Sequence, residues 1–316
     1  MNTELPVEPA GAVAPEDTYY SIDKALLNPQ KVLRLDLHLK KLTEIPEQVF
    51  EFSNLQELNL LNNKLSSVPA NISKLSNLRK LELSGNNFTD FPEEITELSN
   101  LKVLVLSWNE ISAVPDSIGE LSNLEDLSLN HNKLTSLSGS IGKLVNLKIL
   151  VLNDNELTSL PDSIGNLANL IKLRISSNHL SVLPTSICNL TSLEKLEAQT
   201  NNLSLIPESI GKMKGLTKLR LFQNILTEIP DSIGELVNLE KFFIHENEIS
   251  VIPDSIGNLT KLEELDLSCN ELTSLPDSIR NLGHLDSLEL GKNNFSPEDA
   301  KKIAQLLHQT RINWED

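Results

Sequence analysis

Cysteine is almost missing from this 316-residue chain, which carries only Cys188 and Cys269, 81 positions apart. No cysteine cluster marks either end, and two thiols so far apart in a stacked fold do not meet. A reducing compartment is therefore expected. Aromatic side chains make up 4%, with two Trp and two Tyr, so the core must be aliphatic. No apolar run approaches the ~20 residues a helix needs to cross a bilayer. Positive charge is also short: 27 Lys and Arg face 44 Asp and Glu, a net charge of −17. That balance disfavours nucleic acid and anionic lipid as bulk partners. The six histidines show no HExxH spacing, no CxxC pair occurs, and no phosphate-binding Gly-Lys-Ser/Thr loop is present. No metal and no cofactor are expected.

Residues 1–20, MNTELPVEPAGAVAPEDTYY, hold neither a basic stretch nor an apolar segment of signal-peptide type. Their Pro, Glu and Ala content reads as a disordered leader. Without an export signal the expected location is cytoplasmic. The six Asn-x-Ser/Thr sequences at Asn71, Asn87, Asn189, Asn202, Asn258 and Asn294 then read as coincidental in a chain rich in Asn, Ser and Leu.

What the chain has is a period. From Val32 through Leu55, Leu78, Leu101, Leu124, Leu147, Leu170, Leu193, Leu216, Leu239 and Leu262 to Leu285, an aliphatic residue returns every 23 positions without insertion or deletion. Such a period predicts a solenoid in which each unit packs only on its neighbours. In LKVLVLSWNEISAVPDSIGELSN, starting at Leu101, Leu104 and Leu106 alternate with Val103, Val105 and Ser107, the pattern of a short strand. Asn109 stands in a slot that is Asn in every repeat except the first, where Lys40 sits. A buried Asn there can satisfy backbone groups of adjacent turns. Ile111, Val114, Ile118 and Leu121 point inward on the return path, Pro115 ends the strand, and Asp116-Ser117 opens a helical turn. Acids after each Pro, such as Asp116, Asp162 and Asp231, complement helical N-termini. Ser138 replaces this Pro once, which is expected to loosen one turn.

This LxxLxLxxNxLxxLPxSIGxLxN pattern resembles the intracellular type of leucine-rich-repeat protein, including bacterial members and Ras-binding scaffolds, over residues 32–295. The resemblance implies an α/β, right-handed horseshoe solenoid of about 12 repeats with a concave parallel β-sheet. It also implies a non-enzymatic interaction module whose partner is a protein, with a small GTPase or another signalling protein as a candidate. Covers are expected at both ends: a helical cap over 21–31, opened by Ser21, and a helix with a closing strand over 296–316, opened by Ser296-Pro297-Glu298-Asp299. With both covers the chain reads as a complete solenoid and a monomer.

Departures from the repeat carry the functional reading. Lys172, Lys195, Lys218 and Lys241 fall in one strand column, with Arg174 and Arg220 in the next and Glu197 among them. Like charges on adjacent strands repel, so stability alone does not favour them. Phe222 and Phe243 read as one column of neighbouring repeats beside that ladder, together with His245, and exposed aromatics next to cations make good anchors. These nine residues are the expected docking site for an acidic partner segment with one or two apolar side chains. The bland alternative is a lysine copied by repeat duplication. A second patch joins Val103, Val105, Trp108, Ile149 and Val151, with Asp126, Ser128 and Asn130 between them.

Catalysis is not expected. His131, Asp154 and Ser177 share a column, but Asp would lie between Ser and His, whereas a triad needs His in contact with both. His245 and Cys269 lie on adjacent repeats without a shielded cleft or oxyanion site. The rival functional class is a secreted or surface recognition protein of adhesin type, exported by a non-classical route.

Overall fold

The computed structural model describes residues 18–315. Fourteen parallel strands form one sheet in strict chain order, each hydrogen-bonded to its sequence neighbours. This is the leucine-rich-repeat solenoid: one short strand per repeat on the concave side and a 3₁₀ turn on the convex side. None of the described helices is long and apolar enough to cross a membrane.

The period explains the stacking. In the strand Val103–Val105, Leu104 is fully buried while its two neighbours are half-buried, and the same in–out alternation recurs along the sheet. The core is a continuous column of Leu and Ile, with each fully buried side chain contributing about 2 kcal/mol. Register follows the 23-residue step, so Val103 pairs with Asp126, Asp126 with Ile149 and Ile149 with Lys172. Because register is fixed, each sequence column becomes a line across the concave face.

The ladder asparagines do what their slot requires. Asn109 Nδ2 donates to the carbonyls of Leu106 (3.0 Å) and of Leu83 in the preceding repeat (3.1 Å), and its Oδ1 accepts from Phe88 N–H (3.1 Å). With a further bond to the Ser107 carbonyl (3.3 Å), one buried side chain thus satisfies four backbone groups in two repeats. The residue before each ladder position turns the chain out of the strand with φ between 52° and 64°, from Leu39 through Trp108 to Lys292. Most are not glycine, so the turn is held at a conformational cost of about 1 kcal/mol each.

On the convex side the turns stack closely. A Cβ added at Gly165 would lie 2.4 Å from the Ser186 carbonyl of the next turn, and one at Gly234 2.3 Å from the Ser255 carbonyl. Glycine is therefore needed for that approach. Cys188 occupies the same column, and the turn facing it is shortened to Ile210–Lys212 where its neighbours run five residues. Ser138 does not loosen its turn: its Oγ accepts from Ser140 N–H at 3.0 Å, a side-chain cap that the Pro-led turns lack.

The two ends are covered. Helix α1 (Ile22–Leu26) buries Ala25, but Ser21 at its N-cap makes no side-chain capping bond, contrary to expectation. Most of the leader expected over 1–20 lies outside the described residues. Its last part does not read as expected: Thr18–Tyr19 forms a strand paired with Arg34–Leu35. Two residues are too few to show an alternating pattern, so the sequence hides them. Helix α2 (Pro297–Leu306) is capped by Ser296 Oγ accepting from Asp299 N–H, and Arg311–Asn313 adds the last strand beside Ser287–Glu289.

Candidate protein-binding face

The four lysines are direct cross-strand neighbours: Lys172 pairs with Lys195, Lys195 with Lys218 and Lys218 with Lys241. Their charges are not equally available. Lys241 Nζ sits 2.5 Å from Glu264, and that hydrogen bond holds its pKa above the ordinary lysine value. Lys195 is exposed and Lys218 half-buried, and neither makes an ion pair among the described residues. Burial pushes the Lys218 pKa down, and the charges of Arg220, Lys241 and Lys195 push the same way against the opposing pull of Glu197.

Glu197 is the counter-ion at the centre. Only 7% exposed, it lies 3.0 Å from Arg174 Nε on one side and 3.8 Å from Arg220 on the other. Phe243 supports the cations from the next strand, with Lys218 Nζ 5.9 Å and the Arg220 guanidinium 5.5 Å from its ring centre. Both contacts have cation–π geometry.

The two phenylalanines do not share a column. Phe243 is the cross-strand partner of Arg220, whereas Phe222 lies two residues beyond Arg220 and stacks on His245 at 4.4 Å. The sequence reading placed them together because both flank inward residues, and only the register separates them. His245 Nδ1 lies 2.9 Å from Asp266 Oδ2. Burial raises the Asp266 pKa, but hydrogen bonds from His245 and Ser268 outweigh it and hold the carboxyl below its ordinary value. His245 is thus engaged by Asp266 and Phe222.

The second patch separates into two parts. Val103 and Val105 lie on one strand and Ile149 and Val151 two strands away, with Asp126 and Ser128 between them. Trp108 is not part of that cluster. It stands at the lip of the sheet, 61% exposed, with its ring stacked on His131 at 3.7 Å. His131 Nε2 in turn lies 3.5 Å from Asp154, and Ser177 follows beyond Asp154, so Asp separates the other two members of the column.

Two carboxyls matter here that the sequence reading treated as spacers or did not single out. Burial among the aliphatic residues pushes the Asp126 pKa up to about 6. Burial also raises Glu82, against hydrogen bonds from Ser84. The available signal was an acid set 23 residues from a valine on one side and an isoleucine on the other. Among the described residues no group of three or more His, Cys, Asp or Glu is placed to hold a metal ion.

The chain belongs to the leucine-rich-repeat family. The leucine rich repeat model matches residues 30–88, 99–157 and 237–295, and the leucine-rich repeat region model matches 130–242. No curated protein matches the chain. Among solved structures it is similar to a Leptospira interrogans leucine-rich-repeat protein, with 29% identity over 94% of this chain and 99% of that one (TM-score 0.59). An internalin from Listeria monocytogenes superposes with a TM-score of 0.79 over 93% and 88% of the two chains; at 24% identity this supports the fold alone. The structure of PEPR1–AtPEP1 shares 30% identity over 93% of this chain and 43% of that one (TM-score 0.79). The matching models describe a repeat and no catalytic family.

Proposed function

We propose that this chain is a non-enzymatic recognition module whose concave face binds an acidic, partly apolar segment of a protein partner. The observation that carries this reading is Lys218, half-buried without an ion pair, beside Arg220 and between Lys195 and Lys241. An arriving carboxylate relieves that repulsion, so binding energy is stored in the unliganded face. Phe243 and the Phe222–His245 stack supply apolar area beside the charge at little rotamer cost.

The comparisons support the general form of this reading. Structures with this repeat include a plant peptide hormone receptor, RGFR1, in complex with RGF2, 28% identical over 83% of this chain. The free thiols Cys188 and Cys269 accord with a reducing, cytoplasmic setting. A small GTPase remains one candidate class of partner by family resemblance alone.

The test is a pull-down with the wild-type chain and with Lys218→Glu combined with Arg220→Glu. The double variant should lose the partners that wild type retains, with a lowered melt because Arg220 neighbours the buried Glu197. Lys218→Glu alone, which breaks no ion pair among the described residues, should weaken the same partners with a melt within a few degrees of wild type. Recovery of the same partners by both proteins would remove the basic strip from the binding face.

A further inference from the structure

The concave face carries a second unbalanced charge, of opposite sign. Asp126 lies in register between Val103 and Ile149, with Val105 and Val151 on the neighbouring column two residues further along each strand. Its one side-chain hydrogen bond is a long one, accepted from Ser128 Oγ at 3.4 Å. Lys80 and Lys172 favour its ionised form through their charge, and Glu82 repels it. A half-buried carboxyl walled by four aliphatic side chains fits one kind of group closely. A lysine or arginine of a partner can lay its methylene stem on the valines and isoleucine and set its charged head on the carboxylate.

The distance to the basic strip completes the pattern. Lys195 and Lys218 are three and four strands from Asp126. At about 4.8 Å per strand this is about 14–19 Å, which an extended peptide covers in about four to six residues.

We infer that the partner segment is bipolar: an extended stretch crossing the strands, with one Lys or Arg seated on Asp126 and an acidic cluster about four to six residues away on Lys195 and Lys218. This rests on the concave-face reading above and adds a second, opposite requirement. It also fixes polarity, because the basic residue must lie on the N-terminal side of the horseshoe.

The test is selection of a random 12-residue displayed peptide library on three baits: wild type, Asp126→Asn, and Lys218→Glu with Arg220→Glu. Wild type should enrich acidic clusters with a Lys or Arg at that spacing. Asp126→Asn should keep the acidic cluster and lose the basic position; the double variant should lose the acidic cluster. Acidic clusters without a spaced basic residue, or a basic position that survives Asp126→Asn, overturn the bipolar segment and leave the basic strip standing. No acidic enrichment on wild type overturns both.

A synthetic peptide with one Lys five residues from three consecutive Glu gives a second readout. Its affinity should fall about tenfold from pH 7 to pH 5, as a carboxyl with a pKa of about 6 is protonated. The fall should vanish in Asp126→Asn and for the same peptide with Lys replaced by Ala. Equal pH dependence in all three also overturns the inference.

Discussion

Two acidic residues lie three repeats apart on one concave sheet, and their surroundings are opposite. Glu197 has Arg174 and Arg220 as cross-strand neighbours and sits between them as a counter-ion. Asp126 has Val103 and Ile149 in the corresponding positions one column over, and burial raises its pKa to about 6. The backbone around both is the same. What differs is the residue 23 positions earlier and later, so the cost of a buried charge in this fold is set by its neighbours in the adjacent repeats.

The largest loss of stability should come from breaking the satisfied side. Glu197→Gln removes the anion from among Arg174, Arg220 and the lysines, and should cost about 2 kcal/mol in denaturant unfolding at neutral pH. This figure is below that for a fully buried pair because both arginines remain partly exposed. A loss under about 0.5 kcal/mol would show that the cations repel little.

The comparison can also be inverted. Ile149→Lys gives Asp126 a cationic cross-strand neighbour of the kind Glu197 has, and should lower the Asp126 pKa by about one unit, about 1.4 kcal/mol, in an NMR titration. An unchanged pKa would mean that depth, and not the missing cation, controls the carboxyl.

Asp126→Asn should give the one stabilising change. The folded-state pKa lies above the unfolded value, so the folded protein binds more protons between about pH 4 and 6. The ionised carboxylate therefore opposes folding at neutral pH, and stability recovers as pH falls through about 6 toward 4. The variant should gain about 2–3 kcal/mol at pH 7, the size of a shift of about two units, and little at pH 4. A gain of the same size at both values would point to packing instead of charge.

Much of the fold was legible because its physics is periodic. The inward leucines, the ladder asparagines and the convex prolines each repeat at 23, and one repeat read correctly supplies the others. The lysine column was legible for the same reason. What escaped depended on geometry between columns. Phe222 and Phe243 differ by 21 positions, not 23, and only register shows that one meets His245 and the other Arg220. Trp108 is spaced like an extension of the valine patch but projects from a left-handed turn at the lip of the sheet. The Thr18–Tyr19 strand has no repeat to announce it. Asp126 looked like a polar gap in an apolar patch, because sequence shows neighbours along the chain and this carboxyl's character comes from neighbours across it.

One convex feature bears on the concave face. In an array whose units hold only their neighbours, the whole is as continuous as its poorest joint. Between the repeats that begin at Leu170 and Leu193, Cys188 stands where the turns on either side have glycine, and the turn facing it is three residues long. The Arg174–Glu197 contact crosses the same boundary from the other side of the molecule. That boundary is irregular on its outer rim and stapled by charge on its inner one, so a ligand that competes for Arg174 acts on the joint between two repeats as well as on the face.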